Sequence, residues 1–162
     1  MTVTPPAPVI RHAGEGDHVW GMRACQTVKL AADAVEDRRV SAMEVLAPTE
    51  FGPPLHIHHE EDEILQILEG TVRVVCGNTD IVLGEGGFAF LPRAVPHTFL
   101  VLDGPARMLT IFTPGGVEAM FADSGTRTER AELPPPGAVP DGALGALLGR
   151  HNVEMVGPPL VA

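Results

Sequence analysis

The stretch FGPPLHIHHEEDEILQILEG, residues 51–70, decides how this chain is read. His56 and His58 stand two apart, Glu63 follows five residues later, and the run closes in Glu69-Gly70. In an extended strand, residues two apart project from one face, so both imidazoles point into the same space. By the same alternation His59 faces away, as surface or as support behind the site. A local bulge would reverse this and turn His59 inward instead. Four of the seven histidines fall at 56, 58, 59 and 97, while His12, His18 and His151 are scattered. Clustered histidine beside a carboxylate is the composition of a site for a borderline divalent metal. A histidine pair next to an acidic loop can equally be solvated surface.

Outward from this stretch, composition sets the class. A length of 162 residues fits one domain with a real core. Gly (18) and Pro (16) are abundant, which favours many turns between short elements. Val and Ile alternate in short runs and long helical periodicity is scarce, so an all-β domain with modest helical additions is predicted. A net charge of −10 argues against a nucleic-acid backbone or an anionic membrane surface as partner. No segment approaches the roughly 18–20 consecutive apolar residues that cross a bilayer. The N-terminal residues lack an apolar core flanked by basic residues. Cys25 and Cys76 are too few for a disulfide framework or a thiolate zinc site and suit a reducing compartment. A cytoplasmic protein is the expectation.

The order of elements follows from the same patterns. Residues 1–17 form a Pro-rich arm, and a β core spans 18–114. Strands are expected at about His18–Met22, Cys25–Leu30 and Val40–Leu46. After the histidine strand come Ile64–Leu68, Thr71–Cys76, Asp80–Leu83, Phe88–Leu91, His97–Leu102 and Met108–Phe112. Spacings of this kind are typical of a sandwich or small barrel. Residues 115–162 read as a helical extension packing on the barrel. Thr113-Pro114 resembles a helix start, with Val117, Met120 and Phe121 at helical spacing and Gly125 as the stop. Asp141 opens a second helix with Leu144, Leu147, Leu148 and His151 on one face, His151 being a part-exposed helix-end residue; the final VGPPLVA is extended. Trp20 reads as core packing, with a ligand-cavity wall as the alternative. Phe90, Phe99, Met108 and Phe112 read as core that could double as pocket lining.

His97, in GGFAFLPRAVPHTFLV, lies about forty residues beyond the first pair, and a barrel can return its strand beside them. At this point the chain resembles a cupin, a double-stranded β-helix or jelly-roll barrel. The first cupin motif has the form G-x5-H-x-H-x(3,4)-E-x6-G. His56, His58, Glu63 and Gly70 match it, while three residues and not five separate Gly52 from His56. The second has the form G-x5-P-x-G-x2-H-x3-N. Gly86, Pro92 and His97 match, with Ala94 at the inner glycine and Val101 at the asparagine. The resemblance implies one divalent transition metal held by His56, His58, Glu63 and His97. Iron (Fe2+) stands first, with Ni2+, Mn2+, Co2+, Cu2+ and Zn2+ as alternatives. Glu63 is taken over Glu60, Glu61 and Asp62 because those three read as a solvated acidic turn. As a ligand that can detach, Glu63 would also be the catalytic general base.

The phrases GPPLHIHHEEDE, LEG, FLPRAVPHTF and GPPL are similar to those of small single-domain cupins grouped with quercetin 2,3-dioxygenases. That similarity implies an oxygenase acting on a small enol, phenol or flavonol-like molecule in the barrel, and a homodimer. Two other functions compete with it. One is a non-oxidative isomerase, cyclase or lyase using the metal as Lewis acid; the other is a non-catalytic small-molecule-binding cupin.

Overall fold

A computed structural model describes residues 7–138 and 148–162. Strands β1 (Asp17–Gly21) and β2 (Ala24–Leu30) form a hairpin through Met22 and Arg23, both with positive φ, as a two-residue turn matched to strand twist requires. Then come β3 (Ser41–Ala47), β4 (Pro54–His58), β5 (Asp62–Cys76), β6 (Thr79–Leu83), β7 (Phe88–Leu91) and β8 (His97–Thr113). Helix α1 (Val117–Ser124), β9 (Thr126–Thr128) and β10 (Val153–Pro159) follow, and two short 3-10 turns lie between β2 and β3. Sheet order runs β10-β4-β8-β3-β2-β1-β9, with β5 joining β6, β7 and β8. The all-β expectation holds.

Two expected pairs of short strands are each one long strand. Strand β5 runs straight through Glu69-Gly70, and β8 joins the segments expected at His97–Leu102 and Met108–Phe112. Together they form a ribbon whose register slips between Ile67 and Val72, where Gly104–Ala106 of β8 stand against Gly70 alone. Such bulges bend and twist a ladder. Beyond the bend β5 pairs with β6 and His97 of β8 faces β4; before it β5 pairs with β7 and β8 with β3. Gly70 makes the corner. Its φ is +88°, and a Cβ there would lie 2.7 Å from Asp103 O and 3.0 Å from Ala106. The residue that looked like a turn in the sequence is a fold in a continuous ribbon.

The tail also differs from a purely helical extension. Helix α1 starts at Val117, capped at Gly116, three residues later than Thr113-Pro114 suggested. The reason is Glu118: its buried carboxylate accepts Gly116 N–H (3.0 Å) and Ala32 N–H (2.7 Å), tying the helix start to the loop after β2. The second helix is described only at 148–150, and its residues 141–147 lie outside the described part. Strand β10 then pairs antiparallel with β4, Val153 opposite His58 and Met155 opposite His56, covering the edge of the histidine strand.

The interior divides in two. One cluster, around Leu65, Ile67, Val72, Val74, Val101 and Met108, fills the barrel floor. The other joins Val19, Met43 and Phe112 to the tail residues Val117, Met120, Phe121, Leu148 and Val153. Phe88 and Phe90 share the outer face of β7 and are more than half exposed, so Phe90 is not core. Trp20 is half-buried, outside both clusters, and donates its indole N–H to Glu132 O at 2.9 Å.

Candidate metal centre

Three strands deliver four side chains to one point. His56 and His58 come from alternate positions of β4, Glu63 from the second residue of β5, and His97 from the first residue of β8, directly opposite His56. One nitrogen or oxygen from each lies within 4.8 Å of every other. His56 and His97 rings are 4.5 Å apart by centroid, His56 and His58 5.0 Å, and His58 and His97 5.3 Å. His58, Glu63 and His97 are buried and His56 nearly so. His59 is outside: its N–H donates to Asn152 O, and its ring meets Glu154 of β10 at 2.9 Å. The register of β4 against β10 is regular from His56 to His58, so His58 is the inward residue. His151 faces Asp123 at 3.1 Å, away from the cluster, in keeping with a helix-end role.

The ring orientations are set locally. His56 Nδ1 lies 2.8 Å from Pro54 O and His97 Nδ1 2.9 Å from Val95 O, each the carbonyl two residues upstream. Both Nε2 atoms therefore face the cluster. Glu63 Oε2 is 3.3 Å from His97 Nε2 and 3.6 Å from His58 Nε2, and His97 Nε2 has no hydrogen-bond partner. Two donors on opposite sides of one transition-metal ion are about 4 Å apart, and adjacent ones about 3 Å. The spacing is thus that of atoms around an ion and not of atoms bonded to each other. An orphaned buried nitrogen, three imidazoles and a carboxylate fit a divalent metal, with no thiolate to narrow the choice.

Electrostatics prepares the donors. Burial pulls His58 from 6.5 down to about 4, and burial followed by the nearness of His97 lowers His56. Burial opposes ionisation of Glu63, but the imidazoles around it, His97 foremost, win and hold its pKa below the usual carboxylate value. Burial likewise pulls His97 down, yet the contact with Glu63 outweighs it and leaves His97 raised. Two neutral imidazoles and an ionised carboxylate are the protonation states a metal requires.

The turn Glu60–Asp62 is not the solvated acidic run the sequence suggested. Only Glu60 is plainly exposed. Asp62 takes a two-pronged contact from Arg93 (3.1 and 2.7 Å) and the Arg93 N–H (2.9 Å), which pins the Pro92–Pro96 corner beside the site. That corner is held again by Ala94 N–H donating to His58 O at 2.8 Å. Glu61 is turned inward, 7% exposed, and its Oε2 lies 3.8 Å from His58 Nδ1. Burial raises its pKa.

The cluster opens on a cavity of about 70 Å³ with largely apolar walls, among them Met43, Phe99, Phe112, Met120, Phe121 and Val153. Phe112 also packs on the His58 ring, centroids 5.5 Å apart. Phe99 and Phe112 line the cavity, Met108 belongs to the floor cluster, and Trp20 does not reach it. Sequence reasoning missed Gln26. It lines the cavity at 1% exposure, donates Nε2–H to Gly21 O at 3.2 Å and leaves Oε1 without a partner. The available signal was a glutamine between Ala24-Cys25 and Val28 in the strand ACQTVKL, where a small apolar residue would be ordinary.

A bent β ribbon that gathers three histidines and a glutamate at one end of a jelly-roll barrel gives the cupin fold, with a cluster whose donors fit a divalent metal. The comparisons with known proteins agree. Residues 42–112 match the cupin domain family. Quercetin 2,3-dioxygenase of Bacillus subtilis (strain 168) is 26% identical over 82 residues, which are 51% of this chain and 24% of that protein. This chain therefore spans about a quarter of the length of that relative. Among solved structures, KdgF from Halomonas sp. is similar with a TM-score of 0.53 and 15% identity, covering 60% of this chain and 85% of that one. An RmlC-like cupin from Shewanella frigidimarina NCIMB 400 gives 0.54 and 16%, covering 66% and 89%. A single-substitution variant of oxalate decarboxylase from Bacillus subtilis gives 0.54 and 17%, covering 64% and 28%. At these identities the structures speak for the fold. The fold is that of the cupins, and residues 42–112 carry the likeness to the cupin domain family.

Proposed function

We propose that this cupin is a metal-dependent enzyme, an oxygenase in first place, that acts on a small enol or phenol. The observation that carries the reading is a buried three-histidine, one-glutamate cluster opening directly on an apolar cavity. His56, His58, Glu63 and His97 would hold the ion. When bound, it would supply Lewis acidity toward a substrate oxygen and, if redox-active, a route to dioxygen. The chain's own residues do the rest. The apolar walls exclude water and hold a ring or alkyl group. Glu63, the one carboxylate lining the cavity among the described residues, is ionised there and takes the enol proton. Gln26 Oε1 offers an acceptor to a second hydroxyl on the substrate. The volume of about 70 Å³ is well under the roughly 300–1,000 Å³ of sites for drug-sized ligands, which favours a small enol or phenol over a three-ring flavonol.

The test has two stages. Elemental analysis of tag-free wild type and His97→Ala should find near-stoichiometric metal in the first and a loss of most of it in the second. Oxygen uptake is then followed with small enols and phenols, in air and anaerobically. Turnover that needs oxygen supports the oxygenase. Equal anaerobic turnover moves the chain to non-oxidative Lewis-acid chemistry, and metal-free wild type that takes up no metal on titration overturns the reading.

A further inference from the structure

Each of the three clustered imidazoles has a second ring nitrogen to satisfy in a dry interior. His56 and His97 solve this with a backbone carbonyl two residues upstream. His58 does not. Its Nδ1 is buried and has no hydrogen-bond partner. Facing it at 3.8 Å is Glu61 Oε2, also buried and also without a partner. An unpaired buried donor or acceptor costs about 1–3 kcal/mol, so two complementary ones side by side are a contact waiting to close. Closing it to a hydrogen bond of about 2.9 Å needs a shift of about 1 Å. The neighbours explain why Glu61 alone turns inward: Glu60 points to solvent and Asp62 is engaged by Arg93.

We propose that Glu61 is the positioning residue of His58: its carboxylate accepts the Nδ1–H, fixes that tautomer and turns the Nε2 lone pair toward Glu63, His56 and His97. The consequence is an asymmetric donor set. Two imidazoles lean on neutral carbonyls, while the third is backed by a carboxylate, which raises its strength as a ligand. Such outer partners are typically worth about 10–100-fold in metal affinity. The affinity part of the argument rests on the metal-binding reading above; the tautomer part does not.

The experiment therefore begins on metal-free protein. Long-range proton–nitrogen correlation spectra of the histidine side chains, at neutral pH, report the tautomer of His58 directly. In the wild type it is expected to be Nδ1–H, and an Nε2–H tautomer overturns the proposal without any variant. In Glu61→Leu the Nδ1–H form should lose its dominance, whereas Glu61→Gln, which keeps an acceptor oxygen, should retain it. If Glu61→Leu fails to fold, Glu61→Ala takes its place. Zinc affinity by competition with a chromophoric chelator should fall about 10–100-fold in Glu61→Leu and only a few-fold in Glu61→Gln. An unchanged tautomer in Glu61→Leu, or equal zinc loss in both variants, refutes the positioning role. Should the wild type bind no zinc, the metal reading fails while the tautomer result still decides the part played by Glu61.

Discussion

Acidification of the metal-free protein offers a quantitative check on the site, because His58 is buried as a neutral ring. Burial lowers its pKa from 6.5 to about 4 in the folded chain. Between those values the unfolded chain binds a proton that the folded chain does not, so stability is lost as pH falls from 6.5 toward 4. A drop of about 2.5 units at about 1.36 kcal/mol each comes to about 3 kcal/mol in full, or about 1.4 kcal/mol per pH unit inside the window. His56, lowered in the same sense, adds to the slope. The other two members leave the middle of the window clear. His97, raised, contributes stability that is complete below 6.5 and is lost as pH rises through its folded value. Glu63, lowered, contributes stability that is lost only below 4.5. The assay is urea unfolding of chelator-treated protein between about pH 5 and 6, comparing wild type with His58→Gln. The wild-type stability should rise with pH more steeply than the variant's by about 1.4 kcal/mol per unit. Parallel slopes would mean that His58 is not held neutral, and the account of the prepared donor set would fall with it.

Two backbone positions make further predictions. Ala94 sits at φ +62°, where a side chain costs about 1–2 kcal/mol, so Ala94→Gly should be stabilising by about 0.5 kcal/mol after the extra entropy of an unfolded glycine is deducted. Thermal unfolding should show a small upward shift, and a fall like that expected of Ala42→Gly within β3 would refute the strain at Ala94. Gly70→Ala should cost at least about 2 kcal/mol, since the new Cβ meets Asp103 O and Ala106 at the ribbon corner and φ is positive. That corresponds to a melting point lower by about 4–8 °C, and a shift under about 1 °C would show that the corner can be made another way.

The motif glycines illustrate how sequence and structure divide the explanation. Gly70 could be seen as punctuation, but a turn between two strands and a bend within one strand carry the same local signal. Only the pairing of β5 with β8 along both halves distinguishes them. At Ala94 the sequence departs from the glycine of the cupin motif, and the structure shows why that motif has glycine: the corner needs a left-handed residue whose N–H can reach His58 O. The departure costs backbone strain and leaves the corner intact.

By itself the sequence determined the β class, the facing of His56 and His58, and the approach of Glu63 and His97. The facing of His56 and His58 follows from a period of two along a strand, which is local, whereas the approach of Glu63 and His97 was implied by the resemblance to the two cupin motifs. The tertiary structure decided what local pattern cannot carry. It buried Glu61 behind His58 while leaving Glu60 in solvent, brought Gln26 from β2 to the cavity, laid β10 along the histidine strand and set α1 against the cavity. Burial is a property of the partner surface as much as of the residue. A glutamate or glutamine therefore reads as polar in the sequence, and becomes part of a site only when elements distant along the chain close over it.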